Sequence, residues 1–234
     1  MADLAWHEER LVESTTGVDI VDAITQNYSV IAVPDFASAA ECEQLLAAGS
    51  AAEEKGMENP LTSDATRLRI EVVGRKMNRG QTQSLDGATQ SLVETLVRRS
   101  ISFVQHQLPN LADALALSKC TSATVLSYSQ GEPAINIYYG PGGEFKPHQD
   151  MQALTLLLPL STCGEDYEGG GTSFWHPDVQ LPAARSGKTP PWTLLRPRAG
   201  TALLWGGTLV HAGAEVTSGR RSVLVASFTP REGT

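Results

Sequence analysis

The sequence predicts an α+β chain whose second half closes into an antiparallel sandwich or barrel, and three observations carry that prediction. Up to about residue 120 helical and strand periodicities alternate. From about Thr121 onward short runs rich in Val, Ile, Leu, Thr and Tyr recur ("ATVLSY", "AINIYY", "LTLLLPL", "TSFW", "GTALLW", "SVLVASF"), separated by Gly, Pro and Ser clusters. The length, 234 residues with 41% hydrophobic and 19% charged side chains, suits one globular domain with a real core. A single domain over 1–234 is therefore expected, with an α/β support over about 1–120 and a β core over about 121–234.

Element by element, "YSVIAV" (28–33) is β-branched and aromatic and runs into Pro34, as a strand entering a turn does. In "SAAECEQLLAAG", Ser38 and Glu41 stand three apart as a capping box and Gly49 is placed to stop the helix. "RLRIEVV" alternates Leu68, Ile70 and Val72 with Arg67, Arg69 and Glu71, which predicts a strand with one buried face and one wet one. The polar, glycine-bearing stretch from Arg75 to Gly87 reads as a mobile loop and is expected to close over substrate. Leu92, Leu96 and Phe103 fall at helical spacing with Val93, Val97, Ile101 and Val104, and Pro109 ends that helix. Within the β half, "HPDVQLPAARSGKTPPWTLLRPRAG" holds five of the 13 prolines, so it is a surface excursion and not a linker.

Charge and cysteines exclude several roles. A net charge of -8 repels nucleic acid and anionic membrane alike, so neither is an expected partner, and an anionic small substrate needs a locally basic pocket. The start, "MADLAWHEERLVESTTG", lacks the basic segment and apolar run of a secretory signal, and no stretch is long and apolar enough to span a bilayer. Cys42, Cys120 and Cys163 are odd in number and form no CxxC pair. A cytoplasmic, reducing location is expected.

The chemistry concentrates in two stretches. In "YYGPGGEFKPHQD" (138–150), His148 and Asp150 stand two apart, so on a strand both face one side. In "LVHAGAEVTSGRRSVLVASF", His211 ends an apolar run, "TSG" can turn the chain, and Arg221 opens a second strand ten residues on. Each half alone is weak, because an HxD triplet arises often by chance. Together they offer two histidines and one carboxylate, the facial triad of non-haem Fe(II) oxygenases, with three coordination positions left open. His148, Asp150 and His211 are the candidate metal ligands, and Arg221 is a buried charge in need of a partner.

The spacing of HxD, then His 61 residues later, then Arg ten further on, resembles the prolyl 4-hydroxylase-like branch of the 2-oxoglutarate and Fe(II)-dependent dioxygenases. The likeness runs from about Asn136 to Phe228 and includes "YEGGGTSF" and "PRAGTALLW". It implies a double-stranded β-helix of the jelly-roll, cupin-like kind, with N-terminal helices packed on the major sheet. It also implies Fe(II) on His148, Asp150 and His211, 2-oxoglutarate as cosubstrate with O2, and ascorbate as reductant. Arg221 would take the distal carboxylate of 2-oxoglutarate, with hydroxyls from Tyr139 and Thr172. The implied reaction hydroxylates an unactivated C–H bond of a prolyl residue, or of a related cyclic amine or amino acid, and releases succinate and CO2.

Competing assignments are ordinary ones. Arg220 neighbours Arg221, and strand alternation lets only one face inward; the Gly-x-Arg phrasing of Gly219 and Arg221 favours the second. His176, followed by proline, is a turn residue and the reserve ligand; His7 and His106 face solvent. Trp175 and Trp205 are core, and Lys188 and Arg198 are surface charge. The glycine runs lack the pattern of a phosphate-binding loop. The same chemistry on a secondary metabolite, or a silent β-helix that only binds metal or ligand, are the alternative functions. A halogenase is disfavoured because Asp150 fills the position where such enzymes need a small residue.

Overall fold

Strand alternation sorts the β core into an outer face for helices and an inner face for the site. The computed structural model describes residues 5–7, 19–59, 63–74, 76–77, 80–81 and 83–231, with 5–7, 76–77 and 80–81 described by backbone alone. In chain order the first half comprises β1 (Ala5–His7), α1 (Ile20–Thr25), β2 (Ser29–Val33), α2 (Ala39–Glu54), β3 (Arg67–Glu71), β4 (Lys76–Met77), β5 (Gly80–Gln81), α3 (Gly87–Gln107) and α4 (Pro109–Ala114). The second comprises β6 (Leu126–Tyr128), β7 (Ala134–Tyr139), β8 (Gly143–His148), β9 (Leu154–Pro159), β10 (Tyr167–Gly169) and β11 (Thr172–Phe174). It ends with α5 (Leu181–Arg185), β12 (Thr193–Leu195), β13 (Ala202–Trp205) and β14 (His211–Pro230). No helix among the described residues is long and apolar enough to cross a membrane.

The major sheet runs β1-β2-β13-β9-β14-β7-β3, with β6 beside the end of β14, and β1 and β2 pair in parallel. The first half of β14 leaves it to pair with β8, β10 and β11, and β12 extends β11. The expected hairpin at "TSG" is therefore corrected: the chain does not fold back there. β14 is continuous and passes from one sheet to the other through register shifts, as bulged strands do at barrel corners.

On the outer face Ile135 and Ile137 of β7, Leu156 and Leu158 of β9 and Leu224 of β14 pack in one cluster with Leu45 of α2 and Leu96 of α3. Alternate residues, Tyr138, Leu157, Val223 and Trp205 among them, form a second cluster between the sheets with Phe174 and Tyr167. The helices thus sit on the major sheet, as the resemblance implies. Ser38 and Glu41 make the predicted capping box, in which the Glu41 N–H donates to Ser38 Oγ at 3.3 Å and the Ser38 N–H donates to Glu41 Oε2 at 2.8 Å.

Two expectations about the support are overturned. Gly49 does not stop α2, which runs on to Glu54; it lies buried inside the helix, where an added Cβ would stand 3.3 Å from Ile135 Cγ2. Its small size serves close helix–sheet packing. The face of β3 read as wet is buried too: Arg69 is 5% and Glu71 1% exposed, because that face looks into the barrel. The supposed lid, Arg75 to Gly87, contains the short β4–β5 ladder; Arg75, Asn78, Arg79 and Thr82 lie outside the described residues, as do 1–4 and 8–18.

Candidate metal centre

Cross-strand pairing builds this site. His148, the last residue of β8, stands opposite His211, the first of β14, and directly opposed residues share a face. Their ring centroids are 4.2 Å apart. Asp150 lies just past β8, where the N–H groups of Asp150 and Met151 both donate to the Gly207 carbonyl, at 2.9 and 2.8 Å. Met151 takes a positive φ of 60° to complete this corner. Gly207 has no alternative, since a Cβ there would lie 2.3 Å from the Gln152 carbonyl oxygen.

The donor atoms converge. His148 Nε2 lies 3.5 Å from Asp150 Oδ1, His211 Nε2 lies 3.5 Å from Asp150 Oδ2, and one ligand atom from each residue falls within 4.8 Å of the others. Each ring is oriented by its other nitrogen: His148 Nδ1 donates to the Lys146 carbonyl and His211 Nδ1 to the Leu209 carbonyl, both at 2.9 Å. A carbonyl only accepts, so the proton sits on Nδ1 and the Nε2 lone pair points into the site. Asp150 Oδ2 accepts from Thr155 Oγ1 at 2.6 Å. Burial, and then the neighbouring His211, hold the His148 imidazole well below its ordinary pKa. The set is two histidines and one aspartate, a donor set that fits a divalent iron.

Further along the same cleft, of about 360 Å³, Arg221 is 3% exposed. Its Nη2 donates to Thr172 Oγ1 at 3.1 Å. No carboxylate pairs with it among the described residues, so the guanidinium faces the cleft with donors to spare. Gly170, at φ 56°, leaves the room: a Cβ there would lie 3.2 Å from Arg221 Cδ and 2.7 Å from Tyr167 Cε2. Arg220 points the other way, donating to Ser50 Oγ at 2.8 Å and pairing with Glu53 Oε2 at 3.2 Å on α2.

The structure thus brings His148, Asp150 and His211 together, and Arg221 with Thr172 beside them. Tyr139 it does not bring. On β7 Tyr139 pairs with Arg220, and its hydroxyl donates to the Glu53 carboxylate on the helix side. Burial, and then that bond, push its phenol up to about 12. Strand parity puts Tyr138 opposite Arg221 instead, 3% exposed, its ring centroid 5.2 Å from the guanidinium. The pairing of Arg221 with Tyr138 was the signal for this, because residues opposed across a ladder face the same way.

Three more residues line this cleft that the sequence did not single out for the site: Arg69, Glu132 and Asn136. Arg69 Nη2 pairs with Glu132 Oε1 at 3.1 Å. Asn136 stands across from Arg69 on β7, 3% exposed, with its Oδ1 unpaired. His176 lies outside the site, edge-on to Tyr28 and beside Trp192, and is no reserve ligand. Trp205 is core, 4.9 Å from the His211 ring. Arg198 makes an exposed 3.5 Å pair with Glu165.

A double-stranded β-helix with two histidines and a carboxylate at its mouth defines the class of non-haem iron oxygenase folds. Residues 133–228, the segment that holds the site, match the family model described as the 2OG-Fe(II) oxygenase superfamily. The fold is similar to that of a 2OG-Fe(II) oxygenase family oxidoreductase from Burkholderia pseudomallei (TM-score 0.59, 14% identity, covering 98% of this chain and 97% of that one). It is also similar to a Pseudomonas putida prolyl-4-hydroxylase (TM-score 0.52, 14% identity, 91% and 100% covered). Among curated proteins, procollagen-lysine,2-oxoglutarate 5-dioxygenase 1 of Gallus gallus is 32% identical over 104 residues, 44% of this chain. The match spans only 13% of that relative's length.

Proposed function

We propose that this chain is a 2-oxoglutarate-dependent hydroxylase that holds one Fe(II) through His148, Asp150 and His211. The observation that carries the proposal is the convergence of both imidazole Nε2 atoms on the two oxygens of Asp150, each at 3.5 Å. Iron with 2-oxoglutarate and O2 supplies the oxidation of an unactivated C–H bond, with succinate and CO2 as coproducts. The chain's own part is positioning. Arg221 and Thr172 take the distal carboxylate of 2-oxoglutarate, and the Arg221 fork suits a carboxylate gripped in two bonds. Tyr138 stacks on that guanidinium and takes over the place that the resemblance gave to Tyr139.

The substrate we infer is a prolyl residue or a related cyclic amine or amino acid. The named relatives support this class: one is a prolyl-4-hydroxylase and another acts on procollagen lysine, so C–H bonds of amino-acid side chains recur among them. A reducing, cytoplasmic setting suits three cysteines that form no disulfide. The test is substrate-stimulated succinate formation in the presence of Fe(II), 2-oxoglutarate and ascorbate. Turnover that depends on all of iron, 2-oxo acid and O2 is the expected result; a folded, iron-loaded chain that never forms succinate refutes the proposal.

A further inference from the structure

Asp150 lies outside the strands that carry His148 and His211, so whatever fixes its main chain decides where its carboxylate points. Its N–H donates to the Gly207 carbonyl at 2.9 Å, and its own carbonyl accepts from Ser129 Oγ at 3.0 Å. Ser129 stands 21 residues earlier, in the segment that links β6 to β7. A turn remote in sequence therefore clamps this corner.

That segment is a tight turn over 129–132. The Glu132 N–H donates back to the Ser129 carbonyl at 3.1 Å, and Gly131 takes a positive φ of 77°, which the third position of such a turn favours. The Ser129 N–H donates to the Ser227 carbonyl at 3.0 Å, and the Ser227 N–H donates to Glu132 Oε2. Both ends of the turn are thus docked on one residue of β14. Ser227 stands opposite Thr155 in the ladder of β14 with β9, and Thr155 Oγ1 is the donor to Asp150 Oδ2. The carbonyl and the carboxylate of Asp150 are held from neighbouring points.

Arg69 organises the turn. Its Nε donates to the Gly131 carbonyl at 3.3 Å, Nη2 donates to the Gln130 carbonyl at 3.5 Å, and Nη2 pairs with Glu132 Oε1 at 3.1 Å. One planar fork grips three consecutive residues, a geometry that a lysine ammonium does not reproduce. The two side chains of the pair are 7% and 6% exposed. A buried ion pair returns little of its desolvation cost as stability, and its best-attested use is to fix one arrangement over others. Here the arrangement is the turn that carries Ser129.

We propose that Arg69 is a positioning residue for the metal centre: by shaping the 129–132 turn it sets Ser129 Oγ against the Asp150 carbonyl and so aims the Asp150 carboxylate at the point where the two imidazoles converge. This rests on the reading of His148, Asp150 and His211 as iron ligands, and extends it by a line of contacts that runs from β3 to the ligand. The rival cause is charge, since a guanidinium near a cation site weakens cation binding by repulsion. Arg69→Lys keeps the charge and removes the fork, and Ser129→Ala changes no charge at all.

A double-mutant cycle on the full chain, with two readouts, tests the proposal. Fe(II) affinity, from competitive titration against a chelator, should fall by about tenfold in Ser129→Ala and in Arg69→Lys, the loss expected of a partner that orients a ligand. The double variant should lose no more than about twofold beyond the larger single loss, because both residues act through one contact. In the metal-free chain, deuterium exchange of the Asp150 and Met151 amides, which both donate to the Gly207 carbonyl, should quicken in each single variant. Arg99→Gln, which breaks the pair of α3 with Glu41 on α2, is the control: it should lower the denaturant midpoint and leave iron affinity within about twofold. Unchanged iron affinity in either single variant overturns the inference, and so do losses that multiply in the double variant. An Arg99→Gln chain that loses iron as the others do also overturns it, because the effect is then a general loosening. Should Arg69→Lys fail to fold, Glu132→Gln weakens the same grip, and its coupling with Ser129→Ala decides. A wild-type chain that binds no Fe(II) counts against the hydroxylase reading itself, whereas unchanged amide exchange overturns the inference whether or not iron binds.

Discussion

His148 and His211 face each other across the ladder between β8 and β14, with ring centroids 4.2 Å apart and each Nδ1 donating to the carbonyl two residues before it. The strand pairing therefore sets the separation of the two ligands, and the backbone sets their tautomers. Asp150 is less constrained by strand geometry, since it lies beyond the end of β8, and its orientation depends on Thr155 and Gly207.

Thr155→Val should weaken Fe(II) affinity by roughly 10- to 100-fold, the effect expected when the group orienting a ligand is lost. Thr155 is fully buried and valine matches its shape, so the fold should survive. Competitive iron titration against a chelator measures this; unchanged affinity would mean that the 2.6 Å bond to Asp150 does not orient the carboxylate.

Gly207→Ala should destabilise the chain and lower iron affinity together. The new Cβ would meet the backbone of Gln152 at 2.3 and 2.6 Å, and neither atom can step aside without moving the Asp150 corner. A loss of about 2 kcal/mol or more is expected, read as a fall in the denaturant midpoint. A variant of wild-type stability would show that this corner is not tight.

Arg221→Leu should raise the KM for 2-oxoglutarate by about ten- to a thousandfold, which corresponds to roughly 1.5–4 kcal/mol of charged hydrogen bonding. Iron binding should persist. Arg220→Leu should leave that KM within about twofold, because its partners are Ser50 and Glu53 on α2, and should cost at most about 1 kcal/mol of stability as a partly exposed pair. Steady-state kinetics on both variants checks the strand register; the reverse pattern would invert every inward assignment on β14.

Much of this was legible in the sequence, for a physical reason: metal ligands are few, polar and fixed in spacing, so His148, Asp150, His211 and Arg221 stand out against apolar strands. Parity was harder. Tyr138 and Tyr139 are the same residue type, and nothing in their order tells which faces the barrel until Arg221 is paired with one of them. Arg69 and Glu71 alternate with Leu68 and Ile70 as in any half-wet strand, yet a barrel with a polar site also buries charge. Gly49 has the same look in a helix stop and in a close helix–sheet contact, and only the position of Ile135 distinguishes them.

Acid should act first on the support. Arg99, donating to Glu41 at 2.7 Å, holds the Glu41 carboxyl down to about 2 from an ordinary 4.5. A depressed folded-state pKa stabilises the fold above the unfolded value and is lost as pH falls from about 4.5 toward about 2. Because both side chains are partly exposed, the contribution is on the order of 1 kcal/mol. Denaturant unfolding of Glu41→Gln should match this deficit at pH 7 and converge with wild type near pH 2; parallel curves at all pH values would assign the effect to the helix cap alone.

If His148, Asp150 and His211 hold iron in a form that accepts 2-oxoglutarate, anaerobic titration of 2-oxoglutarate into Fe(II)-loaded protein should show one Fe(II) per chain and a weak visible metal-to-ligand charge-transfer band that saturates with 2-oxoglutarate and is missing in Asp150→Ala. A folded, iron-loaded chain that develops no band, or an Asp150→Ala variant that binds iron and gives the band unchanged, would contradict that assignment.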